Sequence, residues 1–115
     1  MVQPKQLLTM TDLDVILAES NRQPVLLFKH STTCPISARA HREWQTFLGS
    51  PEAERVAHAW VRVIEERPVS RAVADRVGVT HQSPQALLIK GGRVLWHDSH
   101  GGITVEALRA AVAQA

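Results

Sequence analysis

The sequence predicts a mixed α/β fold, a central sheet of four or five strands flanked by helices, on three observations. Short continuous apolar runs, Val25-Leu26-Leu27-Phe28 and Ala86-Leu87-Leu88-Ile89, are bounded by turn residues, as in strands buried on both faces. Segments of helical periodicity alternate with such runs, which makes βαβ units and parallel strands. A tight turn, Lys90-Gly91-Gly92-Arg93, joins the last two runs into an antiparallel hairpin. Crossovers and hairpin together make the sheet mixed, with its strand order left open.

A short first strand is placed near Gln6-Leu7-Leu8-Thr9. Thr11-Asp12 ahead of Leu13, Ile16 and Leu17 predicts a capped helix ending near Asn21. Pro24 introduces the strand Val25 to Phe28. Ser31-Thr32-Thr33 supplies candidate caps, and the fixed φ of Pro35 suits a first helical turn. Ala40, Trp44, Phe47 and Leu48 recur at helical spacing until Gly49-Ser50-Pro51 stops the helix. Ala59 to Ile64 is the next strand, Arg62 marking a less covered face and Glu65-Glu66 a solvated end. Val69, Val73 and Val77 stripe a further helix closed by Gly78. After the hairpin, Thr104 caps a last helix through Val105, Leu108 and Val112.

With 115 residues the chain is the size of one domain, spanning 1–115. Hydrophobic residues at 44% and charged residues at 21% exclude a disordered chain. The formal charge of +2 is spread, with acidic and basic residues interleaved as in Glu65-Glu66-Arg67, so nucleic-acid binding is not expected. No leader is read at Met1-Val2-Gln3-Pro4-Lys5, and nothing approaches ~18 consecutive apolar residues. A cytoplasmic monomer without membrane association is expected.

One cysteine, Cys34, excludes an internal disulfide and a zinc ribbon. It falls where a helix starts, and the unpaired N–H groups and positive dipole end of a helix N-terminus favour a thiolate, the nucleophilic form. Lys29, His30, Arg39 and His41 are candidates to add positive potential, and Thr32, Thr33 and Ser37 to donate hydrogen bonds to the sulfur. A free cysteine is most often a small buried hydrophobe. The polar and turn-forming neighbours Ser31, Thr32, Thr33, Pro35 and Ser37 favour a reactive thiol instead. Cys34-Pro35-Ile36-Ser37 also has the frame of a Cys-x-x-Cys redox site with serine in the resolving position. Such a site takes up a thiol but releases it only to a second, external thiol. Ser83-Pro84 precedes an apolar strand, a place where a proline is tolerated.

Phe28-Lys29-His30-Ser31-Thr32-Thr33-Cys34-Pro35-Ile36-Ser37 resembles the active-site signature of the YtxJ family, the monothiol bacilliredoxins. Arg67-Pro68-Val69-Ser70, His81-Gln82-Ser83-Pro84-Gln85-Ala86 and Trp96-His97-Asp98-Ser99-His100 are similar to later segments of that family, so the likeness spans nearly the whole chain. It implies a thioredoxin-like fold and Cys34 as the nucleophile that removes bacillithiol from S-bacillithiolated proteins. Thr33, Pro35, Ile36 and Ser37 would form the rest of the motif. Pro84 would be a cis-proline opposite the site, with the Ser83 backbone pairing to the substrate. Bacillithiol would be a co-substrate, with no bound cofactor, and its malyl carboxylates would suit an arginine or a helix N-terminus. Gly101-Gly102 departs from the bulkier residues of relatives.

Other constellations are weaker. The 6 histidines include His30 and His41 near Cys34, and His97-x-x-His100, but neither spacing is a metal motif, and no metal site is expected. Trp44, Trp60 and Trp96 read as packing residues. Asp98 reads as a surface hydrogen-bonding group. A second functional reading stands beside the enzyme: a non-enzymatic redox-sensing or protein-binding module whose single thiol is reversibly capped.

Overall fold

A computed structural model describes residues 2–115. Five strands form one sheet in the order β1-β3-β2-β4-β5. β1 (Lys5–Gln6) and β2 (Val25–His30) run parallel to β3 (Ala57–Arg62), whereas β4 (Gln85–Lys90) is antiparallel to both β2 and β5 (Arg93–Ser99). The helices are α1 (Met10–Glu19), α2 (Pro35–Leu48), α3 (Arg67–Val77) and α4 (Val105–Ala113), with a short 3-10 helix at Pro51–Arg55 between α2 and β3.

β2 alternates as its period requires. Leu26 and Phe28 face the layer of α2 and α4, where they meet Trp44, Phe47, Ile103 and Leu108. Val25 and Leu27 face α1 and α3, against Leu13, Ile16, Val69 and Val73. Both faces are covered, so a polar side chain at the end of this strand must find a partner inside the protein. That condition governs Lys29, considered below.

The first strand occupies Lys5–Gln6, shorter than the run Gln6 to Thr9. Thr9 belongs instead to α1. Its hydroxyl accepts the Asp12 N–H at 3.1 Å, and the Asp12 carboxylate accepts the Thr9 N–H at 3.2 Å, a reciprocal capping box. The expected cap Thr11-Asp12 was therefore misplaced by about one half-turn: Asp12 is the third helical residue and Thr9 the cap.

Gly91 and Gly92 have φ of 60° and 74°, the left-handed pair that a two-residue hairpin turn requires. Their N–H groups bond Ser20 at the end of α1, through its carbonyl at 2.7 Å and its hydroxyl at 3.0 Å. A register shift then skips Leu95, which is exposed, while Val94 packs on the α1/α3 side and Trp96 on the α2/α4 side. Trp44 is buried and Trp60 and Trp96 are partly buried against the same core, as packing residues. No helix among the described residues is long and apolar enough to cross a membrane.

Candidate functional site

Cys34 is the residue on which α2 begins. Its backbone is extended (φ −103°, ψ 125°), Pro35 takes the first helical position, and the Cys34 carbonyl accepts the Ala38 N–H at 3.0 Å. The side chain is half-buried and makes no capping bond. Helix dipole and free N–H groups are thus directed at a thiol that remains open to solvent.

The loop that delivers Cys34 is held from inside. Ser37 is fully buried; its Oγ accepts the Ser31 N–H at 2.8 Å and lies 2.8 Å from His30 Nδ1. Thr32 donates its hydroxyl to Glu65 Oε2 at 3.0 Å, and Val63 N–H donates to the His30 carbonyl at 2.9 Å. Thr32 and Ser37 therefore serve the loop rather than the sulfur, contrary to the expectation that they donate to it. Glu66 is likewise not a solvated strand end: it is buried, and its carboxylate takes Arg62 in a two-pronged bond at 3.1 and 2.6 Å.

The basic neighbours also separate. Arg39 is exposed beside the start of α2, and His30 and His41 stack at 4.5 Å between ring centres. Burial lowers the pKa of both rings, and in His30 the nearby His41 charge lowers it further. The stack continues through Phe28 to Trp44, whose rings are 4.9 Å apart. Stacked faces do not converge on a point in the manner of metal ligands, and no group of three or more His, Cys, Asp or Glu side chains does so among the described residues.

Lys29 points through the opposite face of the sheet. It is fully buried, and its Nζ lies 3.1 Å from His81 Nδ1; burial pulls the ammonium down to about 8. A lysine directly after the apolar run Val25 to Phe28, still within the strand, is the sequence signal for this contact, but its partner lies 52 residues away in the chain.

The Ser83–Pro84 peptide is cis. It sits just before β4, and β4 pairs with β2 through Gln85 opposite Lys29, so the proline loop and the Cys34 loop leave the sheet at the same end. Gln85, nearly fully buried, fastens the proline loop by donating to the Thr80 carbonyl at 3.1 Å and accepting the Gln82 N–H at 3.4 Å. The Pro84 carbonyl accepts the His100 N–H at 3.2 Å. Gln85 was read from sequence only as part of a strand and of the family segment, and His100 only as half of a weak histidine pair, not for these bonds. Beside Cys34, a groove of about 490 Å³ runs between α2 and the segment before α4, lined by Pro35, Ile36, Arg39, Arg42, His100 and Ile103.

This order of elements is the thioredoxin fold, and it carries one thiol at the start of α2, as a thiol–disulfide oxidoreductase does. The profile of the family described as Monothiol bacilliredoxin BrxC matches residues 5–108. The chain belongs to the monothiol bacilliredoxin family. It is similar, at 31% identity and a TM-score of 0.81, to a solved thioredoxin-fold protein provisionally assigned as an oxidoreductase, over 94% of this chain and 92% of that one. The thioredoxin of Fasciola hepatica (18% identity, TM-score 0.74, 96% and 97% of the two chains) shares the fold. So does that of Malassezia sympodialis (14%, TM-score 0.79, 99% and 91%).

Proposed function

We propose that this protein removes bacillithiol from S-bacillithiolated proteins by monothiol exchange at Cys34, in the cytoplasm and with no bound cofactor. The Cys34 thiolate attacks the bacillithiol sulfur of the mixed disulfide. The old S–S bond breaks, the substrate protein leaves as a thiolate that takes a proton from water, and a Cys34–bacillithiol disulfide forms. A second bacillithiol, as thiolate, attacks the bacillithiol sulfur of that disulfide; oxidised bacillithiol leaves and Cys34 is restored. Electrons balance: one disulfide is exchanged for another at each step.

The observation that carries this reading is the fate of the second motif position. Ser37 is buried and bonded to Ser31, so the frame that elsewhere resolves a mixed disulfide internally here holds the loop in shape. Resolution then falls to an external thiol. In this reading the Ser83 backbone pairs with the incoming disulfide, as the family resemblance implies, and the exposed Pro35 and Ile36 offer its polypeptide an apolar surface.

The test is turnover. A bacillithiolated test protein with excess free bacillithiol is expected to be cleared by sub-stoichiometric protein, and Cys34→Ser to abolish clearance while folding normally. Stoichiometric capping of Cys34 without release would instead favour a redox-sensing module, the second reading of a single reversible thiol.

A further inference from the structure

On the α1/α3 face, behind the proline loop, two arginines without ion pairs among the described residues stand beside His81 and the buried Lys29. Arg67 is the first residue of α3 and Arg71 stands one turn later, on the same side of the helix. His81 joins them from the proline loop, with buried Lys29 against its ring at 3.1 Å. Among the described residues neither arginine has an ion pair. Two of the nearby acids are engaged elsewhere, and the third borders the neighbouring hollow. Glu66 holds Arg62 at 2.6 Å, Glu65 accepts the Thr32 hydroxyl, and Asp75 lies on the adjoining hollow with Arg71 and His81.

Between these groups lies a cavity of about 130 Å³ walled by Val63, Ile64, Arg67, Ser70, Arg71 and His81. That is room for a carboxylate group rather than a large ligand. Ser70 is fully buried and its hydroxyl has no partner, although a buried hydroxyl left unpaired costs roughly 1–3 kcal/mol. Lys29, with three N–H donors as an ammonium, has His81 Nδ1 as its partner. An unpaired donor in the wall, a helix N-terminus and unmatched guanidinium groups all ask for the same thing, an anion that accepts hydrogen bonds.

We propose that this cavity is a carboxylate-binding subsite, the anion accepting hydrogen bonds from Arg67, Arg71 and the Ser70 hydroxyl at the first turns of α3. Its occupant rests on the function proposed above: the carboxylate is that of the acidic small thiol transferred at Cys34. The cavity is built into the same machinery. Val63 in its wall donates to the His30 carbonyl ahead of the Cys34 loop, and His81 lies in the loop that carries the cis Ser83–Pro84 peptide. Occupation would also place negative charge against His81, whose pKa is lowered by burial and then by the Lys29 and Arg71 charges.

L-malate is the probe. Titrated into the reduced protein, it is expected to shift the backbone amides of residues 63–71 saturably and to raise the His81 pKa. Arg67→Gln with Arg71→Gln, both at exposed positions, is expected to weaken binding about tenfold or more, and Ser70→Ala to weaken it in the same direction. Scattered or absent shifts overturn the subsite, as does inorganic phosphate binding more tightly than malate. The link to exchange is read separately, with one test protein capped by bacillithiol and another by uncharged 2-mercaptoethanol. The double arginine variant is expected to raise KM for the first substrate alone. An equal effect on both, or none, overturns the link. If the unaltered protein clears neither substrate, the exchange reading fails, and the malate titration still decides the subsite.

Discussion

Ser37 holds Ser31: its hydroxyl oxygen accepts the Ser31 N–H at 2.8 Å, six residues back across the loop that presents Cys34. The same oxygen lies 2.8 Å from His30 Nδ1, so one small side chain ties the end of β2 to the start of α2. Ser37→Ala would leave a buried N–H unsatisfied and is expected to destabilise the fold by about 1–3 kcal/mol. Exchange should slow without vanishing, because the thiol remains. Urea unfolding and single-turnover exchange on the same variant check both parts; unchanged stability would refute the anchoring role.

Lys29 makes stability depend on alkaline pH. Its folded pKa, about 8, lies below the ordinary 10.5, so between these values the unfolded chain binds the proton that the folded chain refuses. Stability is therefore expected to rise as pH goes from about 8 towards 10.5, and to be flat with respect to this group below 8. The span is at most about 3 kcal/mol. Lys29→Met should remove that rise, as measured by urea unfolding at a series of pH values. The chain has no tyrosine, which keeps other titrations in this window few.

Acid should act through the histidines. His58 is buried; its Nε2 donates to the Ala53 carbonyl at 2.6 Å, leaving Nδ1 buried without a partner. Burial lowers its pKa, outweighing the Ala53 bond. The unfolded chain thus gains the proton first as pH falls through 6.5, and stability declines from there down to the lowered folded value. His30 and His41 are lowered too and add in the same direction. His58→Gln, which keeps a donor for Ala53, is expected to flatten this decline in thermal unfolding scans. An unaltered slope would assign the acid sensitivity elsewhere.

Gly102 leaves room for a carboxylate. A Cβ placed there would collide with the Asp98 side chain, whose Oδ1 accepts the Ser99 N–H at 2.8 Å. Gly102→Ala is expected to destabilise by about 1–3 kcal/mol through overpacking. In an Asp98→Ala background the same change should cost much less, and a double-mutant cycle measures the difference. Full additivity would show that the two positions do not meet.

Local chemistry explains what could be read in advance. Apolar runs marked β2 and β4, Pro35 marked the start of α2, although Cys34 and not Ser31, Thr32 or Thr33 is its cap, and Thr104 does cap α4, accepting the Ala107 N–H at 3.1 Å. Each of these depends on residues within a few positions of one another. The misreadings came from choices that neighbours do not settle. Thr9 and Thr11 are both plausible caps, and only the reciprocal bond with Asp12 chooses Thr9. Glu66 looks solvated until Arg62 folds back over it. Lys29–His81 and Gln85–Thr80 depend on where the proline loop comes to rest against β2 and β4. The family signature was legible because the whole motif is contiguous around Cys34; the cavity at α3 was not, because its walls come from the β3–α3 loop, a helix and the proline loop.

The buried serine in the motif has one more consequence. A dithiol site stores its oxidation as a cross-link, and so its oxidised and reduced forms differ in chain constraint. Here the only thiol is half-exposed at a helix tip, and the position that would have closed the ring is sealed inside. Oxidation adds a passenger to the surface and leaves the chain's own connectivity unchanged. On the exchange proposed above, the polypeptide is a carrier that takes up and releases its load without altering its own chain topology.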